Sequence, residues 1–247
     1  MILRRITEHV KAQNWLAVGI EFVIVVVGVF VGLQAQEWSN ARVERSAERD
    51  AIERLIVEYR LNLELLDQDN EKSQKTMAAT ERLLAMISPN PDVVVADKAL
   101  ARTFLDCLTN PKFIPTLGTT NSLVASGDLR LIDDPELQRM LNQWPTTAQV
   151  LIEWQEIERH HGEELILGFT FDYLAWPTII NLVDGSNRPS VLESDFTGLF
   201  SAMRFEGLLN NRRYNTRVSI GRIEALEADT EELIDRLERR LSALETA

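Results

Sequence analysis

Two histidines and four glutamates crowd into WQEIERHHGEE, from Trp154 to Glu164. Imidazoles and carboxylates are the side chains that bind transition metals or move protons near neutral pH. On a helix, Glu156, His160 and Glu164 fall four residues apart on one face. Glu158 and His161 form a single Glu-x-x-His pair beside them. A helical carboxylate metal site takes such pairs from at least two helices, and no second pair occurs. The remaining histidine, His9, lies near the N-terminus. The cluster therefore reads as a solvated polar face ending at Gly162. No catalytic, cofactor-binding or metal-ligating residue is assigned, and no enzymatic activity is expected.

Other chemistry is equally thin. There is no glycine-rich phosphate loop, and Ser122, Ser126 and Ser201 lack a nucleophile-elbow pattern. Cys107 is the single cysteine, which rules out an internal disulfide; within LARTFLDCL it reads as a packing residue. Trp144, Trp154, Trp176 and Phe169 read as core. One polar run stands out: Asn210, Asn211, Arg212, Arg213, Tyr214, Asn215 and Arg217. Either it is a charged helix face pairing with an acidic body, or Arg212, Arg213, Tyr214 and Arg217 form a cationic patch for an anionic ligand or a partner's acidic surface. The net charge of −12 belongs to the residues beyond Ser39, because Arg4, Arg5 and Lys11 cancel Glu8, Glu21 and Glu37. Phosphate backbones repel such a body, which argues against nucleic-acid binding.

The elements that would position these groups begin with WLAVGIEFVIVVVGVFVGLQA, Trp15 to Ala35, which carries one charge. Crossing a bilayer takes roughly 20 apolar residues, and Trp15 and Trp38 bracket the run as interfacial aromatics do. No convincing signal-peptidase site follows, so a retained transmembrane helix over 14–36 is expected. Residues 1–13 read either as a basic amphipathic leader or as the first turns of the span. Arg4, Arg5 and Lys11 precede the span and Arg42, Arg45 and Arg49 follow it, so the positive-inside count ties. The signal-anchor form favours a cytoplasmic N-terminus, with the body in the periplasm of a bacterial inner membrane. Within the span, Gly28 and Gly32 form a GxxxG pair that permits close helix approach in lipid. Glu21 is seven residues from Gly28, on the same face, where a charge calls for pairing or protonation.

EFVIVVVGVFVGLQAQEWSN, Glu21 to Asn40, resembles the N-terminal signature of a bacterial family of uncharacterised single-pass membrane proteins. Glu21, Gly28, Leu33, Gln34 and Trp38 take the matching places, with Asn40 one residue late. Ser126, Gly127, Leu129, Leu131 and Ile132 are similar to that family's middle segment. The resemblance implies an N-terminal anchor with a helical body; it implies no activity and no catalytic residues.

The transmembrane helix is expected to continue into the body over 37–247, which reads as all-α. Ile52, Leu55, Tyr59, Leu63 and Leu66 set a stripe that Met77, Leu83, Leu84 and Ile87 extend, predicting a long helix over 37–87 that SPNPD ends. A short helix over 96–108, a loop NPKFIPTLG and a brief helix capped by Thr119 or Thr120 follow. Asp134-Pro135-Glu136 opens a helix that Pro145 kinks or ends, and another runs over 146–171. DGSNRPS is a loop, and Asp195 caps a further helix. Ile223, Leu226, Thr230, Leu233, Leu237, Leu241 and Leu244 stripe a last helix over 203–245. The two long helices are expected to pack antiparallel as a stalk, with 92–200 as a cap. The expected function is a membrane-anchored scaffold or accessory subunit. Its partners are the bilayer and either a second copy or another membrane protein. The alternative is an extracytoplasmic ligand-sensing domain signalling through a separate partner.

Overall fold

The computed structural model describes residues 15–188 and 190–246. The expected leader, 1–13, lies outside the described residues. Every described element is helical. The chain divides into two compact units, Met1–Asp50 and Ala51–Ala247. Helix α1 spans Trp15–Ala85, 71 residues.

In the first unit, the apolar part of α1 is long and apolar enough to cross a membrane. None of that apolar stretch is buried.

The second unit is organised by three helices: the rest of α1, α4 (Pro135–His160) and α7 (Met203–Thr246). Contacts pair rising numbers on α1 with falling numbers on α7, Arg60 to Glu238 and Asn70 to Glu227, so these two are antiparallel as expected. Tyr59 meets Trp144 and Asp69 meets Gln155, so α1 and α4 run parallel. Each helix buries a seam of alternating three- and four-residue steps. On α1 it is Ile52, Leu55, Tyr59, Asn62, Leu66, Asp69, Ser73, Thr76, Thr80 and Leu83. On α4 it runs from Leu137 through Leu141, Trp144, Ala148, Leu151 and Gln155 to Glu158, and on α7 from Phe205 through Arg212, Thr216 and Ser219 to Leu237. The α1 stripe expected through Leu63 and Met77 is thus corrected: Asn62 holds the seam and Leu63 is only partly buried against the core. An apolar cluster at each end of the unit flanks polar seam residues.

Between α1 and α4 lie α2 (Lys98–Leu108) and α3 (Gly118–Ser126), then a 3₁₀ turn, Asp128–Leu131. Asp97 caps α2 through the Leu100 amide. The segment from Thr109 to Thr120 returns alongside α1 in the opposite direction. Thr76 donates to Thr109 O, Lys112 donates its amide to Asp69, Asn62 exchanges two hydrogen bonds with Thr116, and Glu58 takes the amides of Thr119 and Thr120. The expected threonine cap of α3 is corrected: Leu117 occupies the cap position and the capping carboxylate comes from Glu58 on α1.

Asp134 caps α4 as expected, through the amides of Glu136 and Leu137. Pro145 neither ends nor divides the helix. A proline there costs about 3 kcal/mol in isolation, but buried Trp144 and Ala148 hold the turn on both sides. Trp144 touches Tyr59 and Phe113 edge-on and donates Nε1 to Thr230 at 2.8 Å, tying α4 to α1, the return segment and α7. Past His160 the helix widens into a π segment, His161–Ile166, instead of ending at Gly162, and one more turn follows, Leu167–Thr170. Then come α5 (Trp176–Asp184), which the sequence pattern did not predict, and α6 (Phe196–Ser201), capped by Asp195 as expected.

Asn62→Ala removes both clamps on Thr116. Chemical denaturation of the full chain should show a loss of about 2 kcal/mol; a loss below about 0.5 kcal/mol would mean that the clamp carries no weight.

Candidate functional site

Helix α2 ends with Cys107 buried and Thr109 at the surface, and its last carbonyls need donors. Thr109 Oγ1 donates to Leu105 O at 3.1 Å, and Thr76 donates to Asp106 O at 3.0 Å. Asn110 Nδ2 serves Leu108 O at 2.9 Å. The remaining two acceptors belong to Arg212, which bonds Cys107 O through Nε at 3.2 Å and Thr109 O through Nη2 at 2.6 Å. Its Nη1 donates to Glu158 O at 2.9 Å, where α4 passes into the π segment.

Arg212 is 0% exposed. Its place in the expected cationic patch is therefore corrected: it is the internal cap of the α2 end, where positive charge meets the negative pole of the backbone dipole, and it ties that end to the Glu158 carbonyl of α4. Glu158 Oε1 stands 3.9 Å from Nη1 and accepts from Thr216 at 2.8 Å. Burial lowers the Arg212 pKa and the Glu158 charge raises it back. Gly162 is small for a reason, since a Cβ there would sit 2.8 Å from Asn110 Oδ1 and 3.5 Å from Arg212 Nη1.

Around this node lies a buried polar waist: Asp69, Ser73, Thr76 and Thr80 from α1, Gln155 and Glu158 from α4, and Arg212, Thr216 and Ser219 from α7. Gln155 accepts from the Phe113 amide and donates to Asp69. Burial pushes the Asp69 carboxyl up to about 6, against the Gln155 hydrogen bond and the Lys72 charge, while the Glu158 charge adds to the rise. Burial also lowers the His161 pKa; its Nε2 lies 2.9 Å from Leu208 O, and a carbonyl only accepts, so that nitrogen carries the proton. Cys107 is buried against Thr80, and burial raises its thiol pKa, so it behaves as a packing residue.

The histidine–glutamate cluster comes apart in space. His160 pairs with Glu164 at 3.0 Å on the surface, and Glu156 pairs with Arg159 at 2.6 Å. Glu158 and His161 turn inward, which corrects their reading as a solvated face. Among the described residues no three metal-binding side chains converge. Arg213 is half-buried, Tyr214 is 61% exposed and Arg217 is exposed, and among the described residues neither arginine forms an ion pair. Trp144 and Phe169 are core, while Trp154 is half-buried under Arg222, whose guanidinium lies 5.1 Å from the ring centre.

Described by itself, the first unit exposes Glu21, Gly28 and Gly32 on α1. A Cβ built on either glycine meets nothing within 4 Å, and neither has a positive φ. No family model, no curated protein and no solved structure matches the chain.

Two outcomes are expected. Arg212→Ala leaves interior carbonyls and Glu158 without their cation and should cost about 3–5 kcal/mol in denaturant unfolding. The Asp69 carboxyl is held near 6 when folded and near 4 when unfolded. The folded state therefore binds the extra proton between those values, and stability falls as pH rises through about 6. Asp69→Asn should remove about 1.4 kcal/mol of pH dependence between pH 5 and pH 7.5, read from unfolding curves at those two values.

Proposed function

We propose that this chain is a membrane-anchored helical scaffold or accessory subunit that acts through protein–protein contacts. The observation that carries the reading is the unburied apolar stretch of α1, whose glycines serve no turn and no close approach within the chain. Glycines four apart let a second helix come close in lipid, where packing rather than water drives association. Glu21 on the same face is then paired or protonated against that neighbour. The neighbour is a second copy of this chain or another membrane protein. Outside the bilayer, Arg213, Tyr214 and Arg217 offer unpaired cations and an exposed ring on a chain of net charge −12, a surface suited to an acidic partner. We place the N-terminus in the cytoplasm and the body in the periplasm, on the strength of Arg4, Arg5 and Lys11 ahead of an uncleaved apolar run.

The second reading is a ligand-sensing body. A groove of about 470 Å³ between the return segment and α4 favours it, lined by Lys112, Gln149, Glu153 and Glu156 among others. Small-molecule sites occupy concavities of this size.

Gly28→Leu and Glu21→Leu should each weaken the detergent-stable assembly at least about tenfold, equivalent to 1.4 kcal/mol. Sedimentation of the purified full chain reads this directly, and an unchanged assembly mass would remove the membrane-contact proposal.

A further inference from the structure

Three buried polar atoms of the waist lack a protein partner: Ser73 Oγ, Glu158 Oε2 and Ser219 Oγ. Their residues are 1%, 2% and 0% exposed. Each occupies a seam position, so the three helices aim them at a common axis. Register brings them within about one helical turn of one another. On the parallel pair, Asp69 meets Gln155, and the next seam step on each helix is Ser73 and Glu158. On the antiparallel pair, Glu158 meets Thr216, and Ser219 is one step further toward Gln155.

A buried hydroxyl or carboxylate oxygen without a partner costs roughly 1–3 kcal/mol. Three of them within about one turn would be a heavy load on a layer that is otherwise paired. Interior water relieves such clusters, typically making about three hydrogen bonds to polar groups that lack other partners. A cation is the wrong guest, because the Arg212 guanidinium already stands 3.9 Å from the Glu158 carboxylate. Gln155, which bonds Asp69 in the waist, also lines the solvent groove beside α4, as does Asn110.

We infer that the waist is an internal hydration site, in which long-lived water bridges Glu158 Oε2, Ser73 Oγ and Ser219 Oγ between the three long helices and exchanges through the groove at Asn110 and Gln155. The site is independent of what the membrane segment contacts. Its water also gives a proton a route to Asp69, which sits one seam step away.

The test is the full chain in detergent, wild type against the double variant Ser73→Ala and Ser219→Ala. Oxygen-17 magnetic relaxation dispersion counts water molecules held for longer than nanoseconds. The inference expects the wild type to show such water and the double variant to show less. It also expects the unfolding equilibrium constant of the double variant to rise at least tenfold, because alanine removes the anchors of bound water. If the hydroxyls were dry, alanine would delete two unpaired polar groups, and stability would hold or rise. Equal dispersion in the two proteins would overturn the inference whatever the stability change.

Discussion

A helix that stops in the middle of a protein must hand its last carbonyls to something. Here α2 stops against α1, α4 and α7, and the acceptors from Leu105 to Thr109 are met one by one. Cys107 O is buried, and an unmet carbonyl in the interior is costly. Arg212 takes two of them and also the Glu158 carbonyl, so one guanidinium joins α2, α4 and α7. Much of the architecture follows. The π segment begins where Arg212 enters the ladder of α4. Gly162 lacks a side chain because Asn110 and Arg212 fill that space. The two apolar clusters stay separate because polar seam residues lie between them.

The same logic sets the path of the return segment. Thr76, Asp69, Asn62 and Glu58 stand at successive levels of α1, and each bonds backbone of a segment running the other way. An apolar seam would tolerate sliding of that segment, whereas directional hydrogen bonds to particular amides do not. Buried polar groups seldom add net stability over well-packed apolar ones. Their best-attested use is to fix register, as polar seam residues do between helices. The cost shows at Asp69, whose carboxyl is held near 6 by burial.

The parts legible in the sequence were those in which apolar spacing and local capping agree. The seam of α7 through Ile223, Leu226, Thr230, Leu233 and Leu237 lies buried as its spacing implies. Asp134-Pro135-Glu136 opens α4, and the valine-rich run forms a helix fit to cross a membrane. The waist was missed because Asn62, Asp69, Ser73, Thr76 and Thr80 look like a solvated face. Yet they continue the three-four rhythm of Ile52, Leu55 and Tyr59 without a slip. Following the rhythm instead of hydrophobicity would have exposed them, and the same count places Arg212 in line with Leu209, Thr216 and Ser219. Pro145 misled for the opposite reason: its local penalty is real, but packing at Trp144 and Ala148 outweighs it. Glu58 as the cap of α3 could not have been read, because it lies 61 residues from Thr119 in sequence.

The chain from Thr109 to Thr120 is an integral segment of the bundle, clamped to α1 by buried side chains. Hydrogen exchange of the full-length protein in detergent measures this amide by amide. The clamped amides of Phe113, Thr116, Thr119 and Thr120 should exchange as slowly as those of the α4 core between Leu141 and Leu151. Exchange as fast as that of the loop at 185–188 would contradict the account.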